Sequence, residues 1–292
     1  MRSDQEFIDT ILSFAQNSDL IKVVGMEGSR IHPLIKPDAL QDFDITFVVT
    51  DKQAFKKDDS WLDMFGERIF LQKPESMTLY APQLGNWEAY LMLFEDGKRM
   101  DLTIVPLEEL DVYLSSESLI KILMDKDQLV GDFPLPTNTS YHIQEPIGAY
   151  FDDCCNEFWW IATYVVKGIY REEMPYAANY LNRNLREELY RMLSWKVGFE
   201  TNFSVSIGKH YRFLEKYVSK DLWERILKTY NLNSYEETWE SLFDIMQLFR
   251  EVSKEVADHL AYPYPDYDEN ITKYIEGLYA KYKESKGRNV KF

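Results

Sequence analysis

The sequence predicts an α+β protein in two parts, a mixed-sheet domain over residues 1–135 and a helical bundle domain over residues 136–292. Short runs rich in Ile, Val and Phe are confined to the first part. Two of these runs are joined by Asp96-Gly97, a pair suited to the positive φ angles of a tight hairpin. Beyond Pro146 the apolar residues recur at helical spacing almost to the end. The length of 292 residues agrees, since about 100–200 residues make a domain.

The elements follow in order. Ser3 caps a first helix whose Phe7, Ile8, Ile11, Leu12 and Phe14 form one apolar stripe. Residues 20–24 read as a short buried strand that runs into Gly25-Met-Glu-Gly28-Ser29-Arg30. Residues 42–50 are a second strand, 52–65 a helix, and 68–72 a third strand. The hairpin takes 88–95 and 98–105, and Pro106 ends it. The stretch 131–145 holds Pro134, Pro136, Thr137, Asn138, Thr139 and Ser140 and reads as a linker. Helices are expected over 151–170, 177–198, 209–217, 220–230, 235–260 and 271–283, with a break at Pro263–Asp266.

Composition narrows the function. Hydrophobic residues at 45% and charged residues at 28% exclude general disorder. A formal charge of −16 argues against retention on nucleic acid by a basic surface and favours a cationic partner. The only cysteines, Cys154 and Cys155, are adjacent, so neither a disulfide scaffold nor a cysteine zinc site is expected. The four histidines are scattered without zinc spacing, and no Gly-x-Ser-x-Gly elbow occurs. The opening Met-Arg-Ser-Asp-Gln-Glu is too charged for a secretory signal, and no apolar run is long enough to span a bilayer. A soluble, cytoplasmic protein with no membrane partner is the expectation.

The chemistry centres on Asp42-Phe43-Asp44. On a strand, residues i and i+2 face the same side, so both carboxylates project together while Phe43 goes to the other side. Two such charges repel unless a cation sits between them, and Mg²⁺ commonly takes one or two carboxylates plus substrate phosphates. Upstream, Gly28-Ser29 follows an apolar strand. Glycine permits close approach, and the serine offers a hydroxyl and an N–H to phosphate oxygens. Downstream, Asp101 opens an otherwise apolar strand, where a lone acid is costly unless it faces the same cation.

Gly28-Ser29, then Asp42-x-Asp44, then a third acid on a later strand resemble the signature of the nucleotidyltransferase superfold shared with polymerase β. The wider set resembles the aminoglycoside (streptomycin) 6-adenylyltransferases and spans nearly the whole chain. It comprises Gly-Ser-Arg, Gln-Asp-Phe-Asp-Ile, Leu-Gly-Asn-Trp (84–87), Leu-Phe-Glu-Asp-Gly (93–97), Asp-Leu-Thr-Ile-Val-Pro (101–106), Phe-Asp-Asp-Cys-Cys-Asn-Glu-Phe-Trp (151–159) and Tyr-Pro-Asp-Tyr-Asp (264–268). The resemblance implies a polymerase-β-like nucleotidyltransferase domain followed by an aminoglycoside-binding helical domain. It implies transfer of AMP from ATP to a hydroxyl of streptomycin, release of pyrophosphate, and antibiotic resistance.

On that reading Asp42 and Asp44 hold Mg²⁺ on the triphosphate, and Gly28, Ser29 and Arg30 meet phosphate oxygens. Asp101 is either a third metal ligand or the base that takes the hydroxyl proton, and both roles need a carboxylate there. Glu88, on the partner hairpin strand, is a weaker candidate for the base and reads mainly as a solvated strand residue. Streptomycin carries two guanidinium groups and an amine, which want carboxylates and aromatic faces. Asp152, Asp153 and Glu157 beside Trp160 on the first long helix of the second part supply both, and Lys167 lies within reach of the triphosphate on the same reading. The group Tyr264, Asp266, Tyr267 and Asp268 is expected to be mainly a structured loop. The expected assembly is a monomer or weak dimer.

Overall fold

The computed structural model describes residues 2–288. The chain divides into two compact units, one ending at Ser140 and one beginning at Tyr141.

The first unit is built on a six-stranded sheet in the order β3-β4-β5-β2-β1-β6. The strands are β1 (Ile21–Glu27), β2 (Phe43–Val49), β3 (Arg68–Gln72), β4 (Glu88–Phe94), β5 (Arg99–Pro106) and β6 (Ile120–Asp125). β2 and β5 pair in parallel, and every other neighbour is antiparallel. The expected hairpin is present as β4 and β5 around Asp96-Gly97, with Gly97 at φ +80°. β6 was not expected. Its short, half-exposed run lacks the clear apolar alternation that marks the other strands.

One face of the sheet is covered by helix α1 (Asp4–Asn17), which begins at a Ser3–Glu6 capping box. Phe7, Ile11 and Ala15 of α1 pack there with Phe43, Ile45 and Phe47 of β2 and Leu102 and Ile104 of β5. The opposite face carries a smaller cluster of Val23, Val48, Val105 and Ile120 with Leu110 and Tyr113 from helix α3 (Leu110–Ser116). The helix expected over 52–65 breaks into α2 (Lys52–Lys56) and a separate 3₁₀ segment at Ser60–Phe65. Asp58 causes the break by accepting the Ser60 backbone N–H at 2.9 Å, an Asx turn that competes with the helix.

The second unit is helical: α4 (Gly148–Tyr170), α5 (Met174–Asn179), α6 (Arg186–Glu200), α7 (Lys220–Lys228), α8 (Tyr235–Leu260) and α9 (Tyr267–Arg288). α4 and α8 meet through Phe158 stacked on Phe249, with centroids 3.7 Å apart. The helix expected over 177–198 is interrupted by a π-helical turn, Tyr180–Leu185, between α5 and α6. Residues 209–217 form only two 3₁₀ turns, because His210 and Tyr211 adopt φ of 54° and 60°. α9 starts earlier than expected because Asp268 in its first turn is clasped. Arg250 grips its carboxylate through Nε and Nη2 at 2.6–3.1 Å, and the Tyr264 hydroxyl donates at 2.9 Å. Cys154 and Cys155 are free, buried thiols whose acidity is suppressed by burial. Among the described residues no helix is long and apolar enough to cross a membrane.

Candidate active site

The sheet face opposite α1 changes character along its strands. At one end it is Val23, Val48 and Val105. The next row is Gly25, Thr46 and Thr103, which are register partners. The row at the far end is Glu27, Asp44 and Asp101, again in register across β1, β2 and β5. Directly opposed residues on paired strands share a face, so the three acids stand side by side. Asp42, immediately before β2, adds a fourth charge felt by Asp44. Phe43 and Ile45 alternate into the core beneath α1, which fixes the direction of the acids.

The crowding is visible in the proton affinities. The Asp44 carboxyl is pushed up to about 6, first by burial and then by the charges of Asp101 and Asp42. Burial also raises Asp42, with Asp101 adding to it and Arg99 opposing. Arg99 is the cation that holds the group together. Its Nη2 lies 3.1 Å from Asp101 Oδ2, and its Nε lies 3.6 Å from Asp42 Oδ1. The hydrogen bonds to Asp101 strengthen its own hold on its proton.

The turn after β1 wraps the same carboxylate. Gly28 has φ +72°, and a Cβ built on it would lie 2.0 Å from Asp44 Oδ2. Glycine is thus required both for the backbone angle and for the close approach. Ser29 follows in the 3₁₀ turn Gly28–Arg30. Arg30, expected at phosphate oxygens, has its guanidinium committed within the protein. Its Nε donates to Asp42 O at 2.9 Å, its Nη2 to Gln41 O at 2.8 Å and its Nη1 to Asp4 Oδ2 at 2.6 Å, over the Phe43 ring at 3.6 Å. It therefore straps the turn to the start of β2.

The donor chemistry suits a hard divalent ion, since all four acids offer oxygen and an existing cation already bridges two of them. Among the described residues, no three His, Cys, Asp or Glu side chains are gathered closely enough to hold a metal by themselves. The arrangement fits a Mg²⁺ that takes one or two carboxylates and draws its other oxygens from phosphate.

Two residues of this face escaped the sequence reading. Burial pushes the Glu27 carboxyl up to about 8, against hydrogen bonds from Tyr113 and Thr46. The Tyr113 hydroxyl donates to Glu27 Oε1 and fills the space where a Cβ of residue 25 would be, 1.7 Å from that position. The adjacency of Glu27 to Gly28-Ser29 was the one available signal. Nothing local marks Tyr113, which arrives from a helix 86 positions away. Glu88 requires a correction. It is 9% exposed and ion-paired to Lys56, with Lys52 3.8 Å away, so it is neither solvated nor free to act as a base.

In the second unit, Asp153, Glu157, Trp160, Tyr164 and Lys167 share one solvent-facing stripe of α4. Asp152 is exposed about 100° round the helix, where its charge acts on Tyr267. Trp160 is 57% exposed, whereas neighbouring Trp159 is buried in the core. The Lys167 ammonium rests 4.6 Å from the centre of the Tyr164 ring. Of the group at 264–268, expected to be mainly a structured loop, Tyr267 and Asp268 instead open α9, and Asp268 is clasped by Arg250 and Tyr264.

The chain is similar to known proteins over nearly its whole length. The family model for streptomycin adenylyltransferase matches residues 1–278. An aminoglycoside 6-adenylyltransferase of Campylobacter jejuni is 50% identical over 282 residues, covering 97% of this chain and 98% of its own. One from Bacillus subtilis (strain 168) is 48% identical over 284 residues, covering 97% of this chain and all of its own. A crystal structure of an aminoglycoside 6-adenyltransferase from Bacillus subtilis aligns over 96% of this chain and 99% of that one, at 45% identity and a TM-score of 0.48.

Proposed function

The chain belongs to the streptomycin adenylyltransferase family and is a nucleotidyltransferase, and from that premise we propose that it transfers AMP from ATP to a hydroxyl of streptomycin. Pyrophosphate leaves, and the modified drug no longer serves as an antibiotic, which gives resistance. The observation that carries the reading is the row of acids on one sheet face with Asp42 beside it, Asp42 and Asp101 bridged by the Arg99 guanidinium, and the Gly28-Ser29 turn at its border.

Residues 1–135 form the nucleotidyltransferase domain and residues 136–292 the aminoglycoside-binding domain in this reading. Asp42, Asp44 and Asp101 are the catalytic carboxylates, and Asp42 and Asp44 would hold Mg²⁺ together with phosphate oxygens. When bound, that ion neutralises charge on the triphosphate and the leaving pyrophosphate. Gly28 lets the backbone approach phosphate, and Ser29 donates its hydroxyl and N–H to phosphate oxygens. Arg30 serves the nucleotide by fixing that turn. Asp101, the acid closest to the Arg99 side chain, either completes the ion's ligands or takes the proton of the attacking hydroxyl.

Asp152, Asp153, Glu157 and Trp160 receive the cationic drug, and Lys167 serves the nucleotide phosphates. The partners are small molecules, with no role for nucleic acid or membrane. The enzyme works in the cytoplasm as a monomer or weak dimer.

The test is direct. Purified protein with ATP, Mg²⁺ and streptomycin is expected to release pyrophosphate, with mass spectrometry of the drug showing one added AMP. Absence of turnover with a panel of aminoglycosides overturns the reading.

A further inference from the structure

The Gly28-Ser29 turn is anchored at both ends. Downstream, Arg30 straps it to the start of β2, and Gln41 Nε2 donates to Ser29 O at 3.1 Å. Upstream, the anchor is Glu27, the last residue of β1 and the one that leads into the 3₁₀ turn Gly28–Arg30. Its side chain takes hydrogen bonds from Tyr113 and Thr46. Gly28 follows at φ +72°, where a residue without a Cβ imposes little steric restraint of its own. The hold on the Glu27 side chain therefore sets the direction in which Ser29 leaves the strand.

Tyr113 is itself fixed from several sides. It is 2% exposed and packs with Val23, Val48, Val105 and Ile120. Trp87 meets its ring edge to face, with centroids 6.4 Å apart and planes at 75°. Trp87 Nε1 and Asn86 Nδ2 also grip the carboxylate of Glu109, the residue just before α3, at 2.6 and 2.8 Å. The Leu-Gly-Asn-Trp run (84–87), which has no part in the proposed site, thus ties down the start of the helix that carries Tyr113. Gly25 supplies the seat, since a Cβ there would fall on the Tyr113 hydroxyl.

We propose that Tyr113 is a positioning residue for the nucleotide: acting through Glu27, it fixes the direction in which the Gly28-Ser29 turn meets the phosphates. The inference rests on the proposed nucleotide site and adds to it a residue that acts at one remove. A turn that is already fixed loses less conformational freedom when the phosphates bind, so the effect falls on ATP affinity.

Binding of ATP with Mg²⁺ is measured by titration calorimetry without acceptor, alongside the KM values for ATP and streptomycin and the melting temperature. The variants are Tyr113→Phe, Glu27→Ala, the two combined, Gly25→Ala and Tyr90→Phe. Tyr90→Phe is the structural control, because Tyr90 is also 2% exposed and its hydroxyl donates to Phe55 O at 3.0 Å, in the core beneath α1. Tyr113→Phe is expected to weaken ATP binding and raise the KM for ATP about fivefold, with the KM for streptomycin changed less than twofold. Tyr90→Phe is expected to lower the melting temperature by a similar amount and to leave ATP binding within twofold. In the Glu27→Ala background, Tyr113→Phe is expected to change ATP affinity less than twofold, because the group it acts through is gone. Gly25→Ala, which displaces the hydroxyl, is expected to reproduce the selective loss, and Tyr113→Phe reports even if Gly25→Ala folds poorly. Wild-type ATP affinity in Tyr113→Phe, an equal loss in Tyr90→Phe, or additive losses in the combined variant overturn the inference. A wild type that binds ATP and loses affinity in Tyr113→Phe, yet does not adenylylate streptomycin, overturns the proposed acceptor and leaves the inference standing. A wild type that binds no ATP overturns both.

Discussion

The two acidic regions of this protein are made of the same side chains arranged in opposite ways. On the sheet, Glu27, Asp44 and Asp101 stand in one register row, with Asp42 beside them. Adjacent strands lie about 4.8 Å apart, and near a protein surface two like charges at such a distance repel by a few kcal/mol. The crowd persists because Arg99 sits in it and because part of it holds its protons more tightly than usual. On α4, Asp153 and Glu157 are separated by a helical turn, face water and adjoin an aromatic ladder. Compressed carboxylates suit a small ion of high charge density, and spread carboxylates beside rings suit a large, soft cation. In the proposed function one acidic composition would serve two kinds of partner, divided by backbone geometry.

The largest expected effect comes from the sheet. Asp44→Asn should lower kcat by at least about a thousandfold, measured as pyrophosphate release. The same variant should change the pH dependence of stability. Because the folded-state pKa of Asp44 is raised to about 6 from 3.8, its favourable contribution is complete below pH 3.8 and disappears as pH rises through 6. Thermal unfolding of the wild type should therefore lose stability across that window relative to the variant. Superimposable profiles would mean that Asp44 is not crowded in solution.

Arg99→Gln removes the organic cation from the row. At neutral pH and low salt it should lower the melting temperature by a few degrees, since a half-exposed ion pair contributes about 1 kcal/mol or less. Millimolar Mg²⁺ should then raise the melting temperature of the variant more than that of the wild type. If added Mg²⁺ shifts neither, the row is not a divalent-ion site. The smallest effect belongs to the helix. Asp153→Asn should raise the KM for streptomycin about two- to fivefold and leave the KM for ATP in place, as expected for one exposed charge among several. A change confined to ATP would reassign the acidic stripe to the nucleotide.

Much of the sheet site was legible because its signals are local. Asp42-x-Asp44 sets two carboxylates on one face by strand periodicity alone. Gly28-Ser29 marks a turn, and Asp101 is conspicuous as an acid heading an apolar strand. The residues that went unread or misread depend on distant partners. Glu88 looks like an ordinary strand acid until Lys52 and Lys56 close over it from α2. Arg30 looks like a phosphate ligand until Asp4, at the start of α1, and the carbonyls of Gln41 and Asp42 take up its donors. Tyr180 looks like one more core aromatic until the π-helical turn sets it beside Tyr164.

The sequence by itself determined the two-part α+β character, the hairpin, the long helices and the direction of Asp44 on β2. Each of these follows from periodicity or turn chemistry within a few residues. Only the tertiary structure decided that β2 pairs in parallel with β5, so that Asp44 and Asp101 meet in register. It alone decided that the Tyr113 hydroxyl donates to Glu27, that Arg99 bridges Asp42 and Asp101, and that four rings from three successive helical segments come into contact. Those contacts join residues brought together by packing, and packing is settled by the burial of the whole core rather than by any single run of residues.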